Sequence, residues 1–345
     1  NSDPLILVDG VERPMKSVEI GSVETISVLK DASATAVFGS RGANGVILIT
    51  TKRGSMGKAI IRGMLNSVVK VPSKLPGKYD SYDALRVRND VIEYELSKSP
   101  SSWNDYLPEE ILRKYRYPAN LEEAERYPNV DWTDVMFKDY ATSQNANLNI
   151  SGGTRFVKYF AGADFLREGD IFKVYENNSG YTPGFGFNRL NVRSNLDFQL
   201  TKSTVFKVNL SGSYGVRKSP WVFSGGDYSY WVDAYSAAPD VFMPLYSDGS
   251  WGYYAPNEGR AENSPRSLST SGVQYRTTAR MTTDFTLDQD LGMIIKGLKF
   301  LGTVSFDNTF EERERGVNNL YRNGVQRKWI SPETGAVYYK EGNDG

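Results

Sequence analysis

Few residues in this chain could do covalent chemistry, and their spacing argues against most of it. Histidine and cysteine are both absent. That removes the usual general base, the Ser-His-Asp arrangement, the commonest metal ligand and any thiolate site. Carboxylate pairs exist at Glu109-Glu110 and Glu311-Glu312, each beside an arginine (Arg113, Arg313) in a charge-rich stretch. Glycoside hydrolysis needs two carboxyls at a set separation across one cleft. A solvated charged face explains adjacent pairs, so no catalytic residue is assigned and an enzyme is not expected. Asp248-Gly249 and Asp288-Gln289-Asp290 are pieces of a calcium loop without the full D-x-[DN]-x-[DN]-G run, and no metal site follows. Gly39 to Gly45 (GSRGANG) has the glycine density of a phosphate cradle but neither the GK[ST] ending nor the GxGxxG spacing, and Gly184 to Gly186 fails the same test. No cofactor site is assigned.

Non-covalent recognition has better material. Between Trp221 and Tyr254 lie Trp221, Tyr228, Trp231, Trp251 and Tyr253, with Asp227, Asp233 and Asp240 among them. Flat rings cover the apolar faces of sugars and carboxylates accept from their hydroxyls. Large aromatics are also what protein interfaces favour. These five are candidate contacts to a substrate or a covering partner; packing within the loop is the other reading.

The elements that would position these residues follow three patterns. Pro4 to Gly10 reads as a strand ending in an Asp-Gly turn. Val23 to Leu29 alternates as a strand does. Asp31 stands where the cap of a short helix over Ala32 to Phe38 belongs, with Gly39 to stop it. Gly42-Ala43-Asn44-Gly45 is a turn signal, and Val46 to Thr51 an apolar, β-branched run suited to a strand covered on both faces. After a first long strand at Ala59 to Val71, the stretch to Tyr140 turns helical, at Ser81 to Lys98 with Ser81 as cap, at Pro108 to Tyr115 and at Leu121 to Tyr127. From Ala141 the period becomes two. Leu190, Val192, Leu196 and Phe198 face one way, and Arg189, Asn191, Arg193, Asn195 and Asp197 the other. Counting Ala59 to Val71, about seven such strands are expected.

Their connections are unequal. Short turns (Ser151 to Thr154, Thr201 to Thr204, Leu291 to Gly297) alternate with long excursions at about 72–140, 169–186, 217–274 and 316–345. A membrane barrel has this asymmetry, whereas a sandwich scatters its loops at both ends. A soluble β-rich carbohydrate-binding module remains the alternative of another class. Lys plus Arg and Asp plus Glu are 41 each, a balance that argues against a nucleic-acid partner. No apolar run is long enough for a transmembrane helix, which leaves a barrel open.

Three segments carry a resemblance: LILVDGV at Leu5 to Val11, VETISVLKDASATAVFGSRGANGVILITTKRG at Val23 to Gly54, and NLNISGGTRFVKYFAG from Asn147. They are similar to the SusC/RagA-type TonB-dependent outer-membrane transporters, from Pro4 to about Glu314. The resemblance implies a mainly β fold with a small α+β plug, a fragment of a large plugged antiparallel transmembrane β-barrel, because family barrels have roughly 22 strands. Residues 1–57 would be the plug, incomplete at its N-terminus, and 58–345 the first part of the barrel. It further implies an outer-membrane location in a Gram-negative bacterium, a SusD-like lid lipoprotein, and TonB acting through a missing N-terminal segment. The cargo would be an oligosaccharide, alternatively a peptide. Because the plug of this family packs against a polar lumen, Arg41 and Arg53 are candidate plug anchors, with ordinary solvated arginines as the other reading.

Overall fold

A computed structural model describes residues 4–15, 18–30, 38–72, 75, 77–176, 180–221, 228–259, 261–315 and 326–341. Near the N-terminus, β1 (Leu5–Val8), β2 (Val11–Glu12), β3 (Val23–Leu29) and β4 (Val46–Thr51) form a four-stranded sheet in the order β2-β1-β4-β3. The Asp9-Gly10 pair makes the tight turn between β1 and β2, both residues at positive φ (49° and 89°), as a two-residue hairpin requires. β1 runs parallel to β4, pairing Leu5 with Val46 and Val8 with Ile49. The central place of β4 explains its apolar run: Val46 and Ile49 are buried with Leu5 and Leu7. Gly45 enters β4 at a φ of 91°, which glycine adopts without strain. The short helix expected before it falls, from Asp31 to Val37, outside the described residues.

The large sheet is antiparallel and has seven strands. These are β5 (Gly57–Lys70), β6 (Ala141–Gly153), β7 (Val157–Glu168), β8 (Gly186–Gln199), β9 (Thr204–Pro220) and, past the two-residue β10 (Trp251–Gly252) that lies outside it, β11 (Val273–Asp290) and β12 (Lys299–Arg315). Each pairs with its neighbour in chain order, with β9 passing directly to β11, and β5 and β12 are open edges. The strand count and the alternation of short and long connections are those read from the sequence.

The faces of this sheet are inverted relative to a soluble protein. Leu190 and Val192 are 44% and 47% exposed, while Asn195 and Asp284 on the opposite face are 1% and 3% exposed. Register aligns the apolar side into rows, such as Ala146, Phe165, Leu190, Tyr214, Ala279 and Phe310 across six strands. An apolar surface this extended belongs against a partner or lipid. Among the described residues no second protein layer covers Leu190 or Val192; Phe198, nearer the short-turn end, is half-buried.

The long excursions assemble a cap at one end of the large sheet. It contains α1 (Ser81–Glu95), α2 (Glu109–Arg116), α3 (Leu121–Arg126), α4 (Trp132–Met136), α5 (Tyr228–Ser236) and α6 (Ser264–Thr270). A small sheet joins β10 to β13 (Arg327–Ile330) and β14 (Val337–Lys340). The cap of α1 is Asp80, one residue before the expected Ser81: its carboxylate accepts from the Asp83 N–H at 2.9 Å, while Ser81 is buried and donates to the Pro128 carbonyl. Trp132, Phe242 and Trp329 form one core of the cap, and Met136, Phe137, Phe172 and Leu268 another.

Candidate functional site

The buried polar face of the large sheet is covered by the small N-terminal unit, and the contact is made of matched charge. Arg13, just past β2, is buried. Its guanidinium donates to both carboxylate oxygens of Asp284 on β11, at 2.9 and 2.5 Å, and to Asp307 on β12 at 2.7 and 3.0 Å. Burial alone would work against its charge, and the two carboxylates more than offset this, so its pKa lies above the ordinary arginine value. Planar two-pronged pairing of this kind is the strong form of an arginine–carboxylate contact.

A second station lies where β4 ends. Arg53 pairs with Asp197 of β8 at 2.5 Å and donates to the Asn209 side chain of β9 at 3.0 Å. Asn195, buried beside them, donates to the Thr51 hydroxyl at 2.9 Å and to the Lys52 carbonyl at 2.7 Å. Thr51 passes its own hydroxyl hydrogen to Asp9 at 2.6 Å, and Asp9 also accepts from the Thr51 N–H. Asp9 in turn lies 3.8 Å from Arg193 on β8. The signs are thus crossed: cations of the small unit meet carboxylates of the large sheet at Arg13 and Arg53, and the reverse holds at Asp9. Gly54 completes the fit, since a Cβ there would run into the main chain of Tyr159 and Gly152.

Glu19 sits at the rim of this contact, beside a small cavity of about 30 Å³ that Asp164, Arg193 and Arg280 also line. Burial raises its carboxyl pKa, with the charge of Asp164 adding; the Gly21 and Ser22 N–H groups and Lys52 act the other way.

The sequence-named residues distribute unevenly over this geometry. Arg53 is at the interface. Arg41 pairs instead with Glu12 of β2, both exposed, within the small unit itself. Of the aromatic candidates, Trp251 is buried, its ring edge-on to Tyr175. Trp231 is half-buried against Phe137 and Phe172, and Tyr253 packs at the core of Trp132 and Phe242. Trp221 lies under Arg315, 4.1 Å from the guanidinium carbon to the ring centre. Tyr228 is 71% exposed. Asp227 lies outside the described residues. Arg13, Asp9 and Arg193 were not singled out as site residues from sequence. The one available signal was the parity of Arg193, on the polar side of β8.

No protein-family model matches the chain. Among curated proteins it is similar to TonB-dependent receptor P3 of Formosa agariphila, 28% identical over 313 residues, covering 89% of this chain and 27% of that one. It is also similar to TonB-dependent receptor SusC of Bacteroides thetaiotaomicron, 27% identical over 280 residues, covering 73% of this chain and 24% of that one. The chain therefore spans about a quarter of the length of these relatives. Among solved structures, the RagAB peptide importer in its closed-closed state superposes with a TM-score of 0.66 at 19% identity, over 92% of this chain and 36% of that one. The fold is that of part of a plugged TonB-dependent receptor barrel.

Proposed function

We propose, from a chain similar to TonB-dependent receptors over most of its length, that it forms part of an active importer in the outer membrane of a Gram-negative bacterium. Residues 1–57 are its plug and 58–345 the neighbouring part of the barrel with its outer loops. The observation that carries this is the charged seam. A polar sheet face buried against a small four-stranded unit, with the apolar face turned out, suits a lumen that is sealed and a wall that meets lipid. The seam holds the unit by discrete ion pairs instead of a continuous apolar core. Such pairs can be broken one at a time when TonB pulls, and can re-form when it releases.

The cargo we assign is an oligosaccharide, delivered under a SusD-like lid lipoprotein. Tyr228, the most exposed of the five aromatic candidates, is the one we assign to contact with cargo or lid. A peptide cargo is the second reading, favoured by the superposition on RagAB, described as a peptide importer. The test is fractionation together with uptake. The full-length protein is expected in the outer-membrane fraction, with a co-purifying lipoprotein and accumulation of cargo that stops when TonB is deleted. Recovery as a soluble monomer, or uptake indifferent to TonB, would sink the proposal.

A further inference from the structure

The seam accounts for Arg13 and Arg53 of the small unit but not for the arginines higher on the same sheet face. At the long-loop end, register sets Phe187, Arg217, Arg276 and Arg313 directly opposite one another on β8, β9, β11 and β12. They share the parity of Asn209 and Asp284, so they face the side that the small unit covers, about 26 Å further along the strands at ~3.3 Å per residue. Three like charges side by side on adjacent strands are destabilising unless something opposes them. Glu311 bonds two of them, Arg276 at 2.8 Å and Arg313 at 3.1 Å. Arg217 has no carboxylate partner among the described residues, and its guanidinium lies over the Phe187 ring at 5.1 Å. One step toward the small unit, the Nε of Arg189 is buried with no hydrogen-bond partner among the described residues. One step outward is Arg315, over Trp221.

A cavity of about 510 Å³ opens beside this row, lined by Arg217, Lys218, Lys70, Phe187 and Trp231, with Glu168 and Asp170 as its opposing charges. Glu168 lies 3.8 Å from Lys70. That volume is in the range of a small-ligand cleft.

We propose that this row and cavity form a cargo site selective for oligosaccharides carrying repeated anionic groups, carboxylate or sulfate. It rests on the import reading above and narrows it. Guanidinium forks match either anion in pairs. The rings at Phe187, Trp221 and Trp231 supply the flat apolar surface that a pyranose stacks on. A neutral sugar would leave the surplus positive charge of the row unanswered.

The test screens the full-length protein on an array of neutral, uronic-acid and sulfated oligosaccharides, with oligoglutamate peptides alongside. The expected result is binding confined to anionic glycans, weakened by added salt and at least tenfold by Arg217→Gln combined with Arg276→Gln. The uronic and sulfated arms tell which anion is read. Arg217→Gln alone breaks no ion pair and guards against misfolding as the explanation. Binding to neutral glycans only, tighter binding to oligoglutamate than to any glycan, no anionic glycan bound, or binding unmoved by the substitutions would each overturn the proposal. TonB-dependent uptake of a neutral glycan or a peptide by the unaltered protein would leave the import reading standing and remove only this one.

Discussion

At mid-strand the large sheet offers Asp197, Asp284 and Asp307, and the small unit answers with Arg53 and Arg13. Nearer the long loops the same sheet carries Arg217, Arg276 and Arg313, with Glu311 bonding two of the three. In the lower belt every one of these charges has a partner and most are buried. In the upper belt they are unbalanced and open. Buried charge without a partner is too costly to persist, so the lower belt must be complete to exist at all. Exposed charge is tolerated in water, and the upper belt can stay incomplete until something anionic arrives. One belt is built for holding and the other for meeting.

The sharpest break of this comparison is Arg13→Ala. It leaves Asp284 buried without its cation, so the expected loss is about 3–5 kcal/mol. The readout is protease cleavage of the first 57 residues, with current leakage in planar bilayers as a second measure. An unchanged cleavage rate would mean that the lower belt does not hold the small unit. Next in size is Asn195→Ala, which strips the Thr51 hydroxyl and the Lys52 carbonyl of a buried donor. About 1–3 kcal/mol is expected in the same cleavage assay. Smallest is Arg217→Gln, expected to change denaturant stability by no more than about 0.5 kcal/mol. A large loss there would move Arg217 from the meeting belt to the holding one.

Much of the architecture was legible because a strand with one apolar and one polar face writes its period directly into the sequence. The glycine turn and the buried run at Val46 to Thr51 were legible for a similar local reason. The seam was not. Arg13 bonds residues 271 and 294 positions away, and nothing nearby marks it as different from Arg41, which pairs inside its own unit. Arg53 was named on the same grounds as Arg41 and lies at the seam. What separates the two is tertiary position, fixed only once β4 is set down on the polar face. The aromatic stretch is a different case. Its rings left both a binding surface and packing within the loop open; Trp251 is buried, and Trp231 packs half-buried on Phe137 and Phe172 while its remaining surface lines the cavity, because long loops over a sheet must bury something of their own to stay folded.

β1 and β4 are parallel neighbours, so Asp9 and the segment Thr51 to Gly54 leave them at the same end of the small sheet, while Arg13 follows β2 on the edge beyond β1, its N–H on the Ile6 carbonyl. All three ion-pair stations thus belong to the β2, β1 and β4 side. Across the sheet, β3 exposes Ile26 and Val28 and makes no hydrogen bond to the seven-stranded wall among the described residues. A body pinned along one margin and loose along the other yields to a pull by swinging, like a hatch on its hinge. In the importer proposed above, passage would then open first along the β3 flank, before the last arginine lets go.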